Sequence, residues 1–337
     1  MPEVNRRDHY FDNVKFVLIA LVVIGHVLEP LYPTSESAKA LYNFIYFFHI
    51  PLFVFITGYF STNSGKLAPY LFLYIIFESL YTLLDYYLNG RSGLQFTFLL
   101  PYWVTWYLLA VVLWKIALPH FTKLRHPILI AVCLAVLSGY VSTLGYTLSA
   151  LRAINFFPFF LAGYYMKREY FDYLFNRTVK IVSALIIILV LVFLFLYGQD
   201  INCEWLWGSY TYSKLGSPEW YAGIFRIGTA AVSIMLSISV LSLIPTRRTR
   251  ISDFGIRTMY PFLLHGFVLK IMAHLGIYRH IGTWSDQLLL ILFAVALTVI
   301  LSMKGVEKVC GFMFKPNLSF LYKKSNVPIS RTQNLGS

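Results

Sequence analysis

Four residues near the start of the chain, Asp12, Lys15, His26 and Glu29, have the types and spacing for acid–base chemistry. On a helix turning about 100° per residue, with Lys15 as zero, Asp12 falls near 60°, His26 near 20° and Glu29 near −40°. Val17, Leu18, Ile19, Leu21, Val23 and Ile24 make the rest of that stretch apolar. The polar face should therefore point into a bundle. The step from Lys15 to His26 rises about 16 Å, which puts Lys15 near the inner surface and His26 deep in the protein. His26 and Glu29, three apart, are close enough to interact. A carboxylate bonded to one imidazole nitrogen fixes the tautomer and leaves the other nitrogen free as a base. Such a base can deprotonate a hydroxyl attacking an acyl carbonyl. A buried histidine satisfied by a neighbouring helix is the bland alternative. A carboxylate and a lysine on the same face tip the balance toward chemistry, since ionisable groups inside a membrane usually mark a site.

Other polar residues lie in apolar stretches. His49 sits in Phe47-Phe48-His49-Ile50-Pro51, and His265 shares a helix face with Thr258. Each serves as a packing residue or as part of a site. Arg226 has three readings: a partner for Glu29, a ligand for a substrate carbonyl, or a cation snorkelling to the interface. Glu78 and Asp85, seven apart, share a face as candidate partners for Arg226, Arg152 or Lys270. His120, His126, His274 and His280 fall at loops or helix ends and read as solvated. No metal-ligand spacing, Gly-rich phosphate loop or Gly-x-Ser-x-Gly elbow is present, so no metal is expected. Cys133, Cys203 and Cys310 are too scattered to signal a metal site or disulfide framework.

The elements that must hold these residues are membrane helices. Of the 337 residues 58% are hydrophobic and only 13% charged, against roughly 25% charged in soluble domains. The apolar segments are about twenty residues long, the length needed to cross a bilayer. We read an all-α integral membrane bundle of about ten helices, at 14–32, 41–60, 69–88, 100–118, 128–148, 152–167, 179–198, 220–244, 256–275 and 285–303. The first follows Arg6 and Arg7 as a signal peptide would, but with His26, Glu29 and no small-residue cleavage site it reads as a retained helix. With the N-terminus inside, most Lys and Arg fall on the inner side, and only Lys39, Arg91, Arg152, Lys214 and Arg279 on the outer. Both termini are thus expected in the cytosol. The same asymmetry explains most of the +13 charge without nucleic acid. The longest outer loop, 199–221, is rich in aromatics (Trp205, Trp207, Tyr210, Tyr212, Trp220, Tyr221). It reads as an interfacial belt, with a lid or sugar-stacking platform as the alternative.

Five segments, in order, resemble the membrane-bound acyltransferase family 3 and its fucose 4-O-acetylase-like branch. Asp12-Asn13-Val14-Lys15 followed by His26 resembles the family's Asp-x-x-Arg start and Arg-x10-His signature. Phe48-His49-Ile50-Pro51-Leu52-Phe53 running to Thr57-Gly58-Tyr59-Phe60 is similar to the branch's second-helix motif. Trp106-Tyr107-Leu108-Leu109-Ala110, the stretch from Arg152 to Gly163, and Tyr260-Pro261-Phe262-Leu263-Leu264-His265 resemble three later ones. There are two departures. Lys15 replaces arginine and loses the guanidinium fork. Val111 and Val112 stand near a glutamate that many relatives carry, which leaves Glu29 as the carboxylate.

The resemblance implies an acyltransferase domain over 1–303 and a short basic cytosolic tail over 304–337, in a bacterial plasma membrane. It implies transfer of acetyl from acetyl-CoA to a sugar hydroxyl of a cell-envelope polysaccharide or lipid-linked glycan. His26 would be the base and Glu29 its orienter. Lys15, Arg247, Arg248, Arg250 and Arg257 would attract the donor's phosphates, although the positive-inside rule alone also explains those arginines. His49, Arg152, Arg226, His265 and Trp106 would support the acceptor or the structure. The competing function is a proton-coupled transporter or exporter of a glycan or lipid. Broken helices in inverted repeats would favour it, and no such pair is evident.

Overall fold

The computed structural model describes residues 8–62, 67–90 and 94–314. Arg6, Arg7, Lys66, Arg91 and the tail beyond Phe314 lie outside the described residues. Among those described, all regular structure is helical: α1 (His9–Leu28), α2 (Glu36–Tyr59), α3 (Ala68–Asn89), α4 (Trp106–Phe121), α5 (Pro127–Ser138), α6 (Ala150–Tyr165), α7 (Arg168–Asp172), α8 (Arg177–Tyr197), α9 (Glu204–Trp207), α10 (Ala222–Leu243), α11 (Arg250–Gly255), α12 (Met259–His274), α13 (Trp284–Leu301) and α14 (Lys304–Phe314). Each of the ten expected spans overlaps one of these helices.

Six of them are long and apolar enough to cross a membrane: α1 with its 3-10 extension to Leu31, α2, α3, α8 with its extension to Asp200, α10 and α13. The counterparts of the other four, α4, α5, α6 and α12, have 16, 12, 16 and 16 residues, short of the roughly twenty that a crossing needs. Local chemistry shortens two of them. The fourth expected span carries Pro101 at its second position, and its first residues form an irregular segment tied to Glu78 instead of a helical turn. The fifth ends at Ser138, and the Gly139 carbonyl that follows accepts from Tyr212 N–H of the aromatic loop at 2.8 Å.

The centre of the bundle is α1, which packs against α2, α11, α12 and α13, while α2 packs most extensively on α6. That α2–α6 crossing depends on two glycines. A methyl at Gly58 would overlap the Phe160 carbonyl, and one at Gly163 the Phe55 carbonyl. Side chains are excluded so that the backbones can meet, a common device in membrane bundles. The outward faces are apolar, for example Leu185, Ile188, Leu189 and Phe193 of α8, as expected of helices solvated by lipid. Past Met303 the chain forms α14, whose Phe314 packs on Tyr260 and Phe77 with ring centroids 4.2 and 5.3 Å apart.

Candidate active site

Asp8 caps α1 by accepting a hydrogen bond from Tyr10 N–H. At the other end Pro30 follows Glu29, and α1 gives way to a 3-10 turn over Glu29–Leu31, since proline has no N–H to continue the ladder. His26 lies in the last turn. It lines a polar cavity of about 160 Å³ with Glu29, Trp103, Trp106, Arg152 and Tyr46. Four residues expected at the site therefore converge: His26 and Glu29 from α1 and its extension, Trp106 from the start of α4, and Arg152 from the first turn of α6.

The partner of His26 is not the expected one. Its Nδ1 lies 2.8 Å from Nε2 of His265, and the two rings are nearly parallel with centroids 5.1 Å apart. Nδ1 of His265 lies 2.6 Å from the Pro261 carbonyl. A carbonyl only accepts, so His265 Nδ1 carries a hydrogen. His265 is fully buried, and a buried, unpaired imidazolium is costly, so the ring is neutral and its Nε2 accepts. His26 then donates through Nδ1, which leaves a lone pair on its Nε2. The chain Pro261–His265–His26 fixes the tautomer that a base needs.

Glu29 does not perform that task. Its Oε2 accepts instead from Trp103 Nε1–H at 3.3 Å, and the Trp103 ring packs on His26 with centroids 4.5 Å apart. The indole has taken the carboxylate that i,i+3 spacing would have offered to the imidazole. Trp103 itself is positioned by α3. The buried Glu78 accepts from Tyr102 N–H at 2.9 and 3.0 Å and from the Thr105 hydroxyl at 2.5 Å. Asp85 accepts from the Tyr102 hydroxyl at 2.8 Å and pairs with Lys270 at 3.5 Å. The two acids expected to pair with buried cations thus organise the loop before α4, and of the three cations expected, Lys270 pairs with Asp85.

Arg152 lies over the Trp106 ring, 4.9 Å from its centroid, and over Tyr146 at 5.6 Å. One terminal nitrogen reaches the Ser209 hydroxyl at 3.4 Å. No carboxylate holds it among the ion pairs of the described residues. The aromatic loop partly covers the cavity. Trp207 lines it and donates to the Tyr42 hydroxyl at 3.0 Å, whereas Trp220 stays exposed. The loop thus combines the two expected behaviours, lid at one end and exposed aromatic at the other. His49 lies one layer deeper, against Tyr46, with its Nδ1 2.8 Å from the Ile45 carbonyl and its Nε2 unpartnered.

Arg226 does not join this group. It lines a separate apolar groove, donates to the Tyr210 carbonyl at 3.3 Å and lies over the Tyr212 ring. Lys15 pairs with Asp12 at 3.0 Å, near the opposite end of α1. Close to it, Asn13 holds the segment that carries the arginines. Its Nδ2 donates to the Pro245 and Arg247 carbonyls, and its Oδ1 accepts from the Thr249 and Ser252 hydroxyls, at 2.6 to 3.0 Å. Arg247, Arg248 and Arg250 are exposed there. Arg248 pairs with Asp253, and Arg257 is buried with its Nε donating to the Ser302 carbonyl at 2.6 Å.

Trp103, Tyr42, Tyr46 and Tyr146 were missed as wall residues. A partial signal existed for three of them. Trp103 follows Pro101 just before Trp106, and Tyr42, Tyr46 and His49 recur at helical spacing.

The "Acyltransferase domain" model of the acyltransferase 3 family matches residues 8–303. A 63-residue segment is 44% identical to Nodulation protein NolL of Mesorhizobium japonicum and 41% identical to its namesake from Sinorhizobium fredii. That segment covers 18% of this chain and 17% of each relative. No solved structure matches. The family match extends over nearly all the described residues, from the cap of α1 to the end of α13, and encloses the whole His26 cavity: the chain belongs to the acyltransferase 3 family of membrane acyltransferases.

Proposed function

We propose that the protein transfers acetyl from acetyl-CoA to a sugar hydroxyl of a cell-envelope polysaccharide or lipid-linked glycan, in a bacterial plasma membrane. The observation that carries this reading is His26 on the cavity wall, its Nδ1 engaged by His265 and its Nε2 left without a hydrogen bond among the described residues, beside aromatic walls suited to a sugar and Arg152, which no carboxylate pairs with among the described residues. His26 Nε2 accepts the hydroxyl proton as the sugar oxygen attacks the thioester carbonyl. Arg152 stabilises the negative charge that develops on the carbonyl oxygen. The carbon–sulfur bond then breaks, the ester forms, and the CoA thiolate takes the proton back from His26. Glu29, held by Trp103, bonds a second acceptor hydroxyl. Lys15 and the exposed Arg247, Arg248 and Arg250 attract the phosphates of CoA at the far end of α1, while Arg257 braces α11 against the end of α13. The separation of about 16 Å along α1 is one that an extended thioester arm can bridge. The test uses purified protein, radiolabelled acetyl-CoA and a panel of envelope sugars. Label recovered as an alkali-labile ester on a sugar supports the proposal, and failure of well-folded protein to bind acetyl-CoA overturns it.

A further inference from the structure

A second cavity, of about 550 Å³, lies between α2, α5, α6 and α10. Its walls are almost wholly apolar, and its rim includes Ile128, Val132, Ile227, Ile234 and Ile238, all exposed on the outer surface of the bundle. It therefore opens toward lipid between α5 and α10. Beyond the Thr229, Ser233 and Ser237 hydroxyls of α10, polar groups of the lining lie near the aromatic loop. Arg226 and Asn155 are each only 8% exposed, both line the groove, and Arg226 Nε and Asn155 Oδ1 have no hydrogen-bond partner. No carboxylate pairs with Arg226 among the described residues. A buried guanidinium without a counter-ion is costly, so this end is complementary to an anion, and Asn155 Oδ1 to a hydroxyl. Tyr46, Phe156 and Leu206 line both this groove and the His26 cavity.

We propose that the groove seats a polyprenyl-phosphate-linked sugar. The prenyl chain lies along α5 and α10, the phosphate sits on Arg226, and the sugar donates to Asn155 and passes over Phe156 into the His26 cavity. This deepens the reading of the chain as a glycan acetyltransferase and rests on it. The apolar walls suit a hydrocarbon chain, and the partition shared with the His26 cavity singles out a lipid whose headgroup carries the acceptor sugar.

Photoaffinity labelling tests the site without acetyl transfer, so failure of the donor reading and failure of this one are separable. The full chain in phospholipid nanodiscs is irradiated with a photoreactive polyprenyl phosphate, and in parallel with a photoreactive phosphatidylglycerol. Prenyl adducts should map to α5 and α10 near Val132 and Ile234, and untagged polyprenyl phosphate should suppress them. Ala230→Trp, which fills the groove, and Arg226→Gln should each lower labelling about tenfold, the scale of one charge-assisted hydrogen bond. Arg226→Lys should retain most of it. Melting in the same nanodiscs shows that each variant is folded, and if Ala230→Trp fails to fold, the Arg226 pair decides. Adducts elsewhere, equal labelling by phosphatidylglycerol, or yields unchanged in the folded variants would overturn the proposal.

Discussion

Replacing His265 separates its role as the partner of His26 from simple packing. The 2.8 Å bond between the rings is neutral in the ground state, worth about 0.5–1.5 kcal/mol, and becomes charge-assisted, worth about 1.5–3 kcal/mol, once His26 holds the proton. Only the difference enters kcat. That difference is about 1–1.5 kcal/mol, or roughly tenfold at about 1.4 kcal/mol per decade. His265→Ala should therefore lower kcat about tenfold and change the KM for acceptor little. His265→Gln can place its side-chain carbonyl near the position of Nε2, accept from His26 and recover most of the rate. Initial rates of acetyl transfer, measured at several acceptor concentrations, read the two parameters separately. Equal losses in the two variants, or a loss confined to KM, would refute the relay.

Three further outcomes follow from named contacts. Trp103→Phe keeps the ring on His26 but deprives Glu29 of its N–H partner; it should raise the acceptor KM several-fold with Tm nearly unchanged, and an unaltered KM would contradict a binding role for Glu29. Asn13→Ala removes the side-chain amide that bonds the Thr249 and Ser252 hydroxyls and the Pro245 and Arg247 carbonyls. It should destabilise the protein by about 1–3 kcal/mol and weaken acetyl-CoA binding; a melt and a binding isotherm matching wild type would contradict this. Gly163→Val forces apart the α2–α6 crossing and should lower Tm at a cost of about 1–3 kcal/mol, so an unchanged melting curve would count against that packing.

Much of the site was legible because a membrane helix tolerates few polar residues. His26, Glu29, Arg152 and Trp106 stood out as polar or motif residues in apolar surroundings, and the fold gathers all four. The partnership of His26 with His265 was hidden because 239 positions separate the two, and helical periodicity reports only neighbours on one helix. The same periodicity misled at Glu29. Spacing put the carboxylate beside His26, but an indole from the loop before α4 occupies it. That loop was hidden in turn, because Pro101, Tyr102 and Trp103 extend an apolar run and read as helix until Glu78 is seen bonding Tyr102 and Thr105. Arg226 stood out as a cation within an apolar helix, with pairing, substrate binding and snorkelling all open, because its surroundings depended on how α5 and α10 pack.

The central claim is that Nε2 of His26 takes the proton from the attacking hydroxyl. Its most direct test is acetyl transfer by purified protein carrying His26→Ala, compared with wild type at equal acetyl-CoA occupancy. Loss of a positioned base typically costs about 10²–10⁴ in rate, so we expect the rate to fall by at least about a hundredfold while acetyl-CoA binding is retained. A folded His26→Ala protein that still transfers acetyl at close to the wild-type rate would contradict the account.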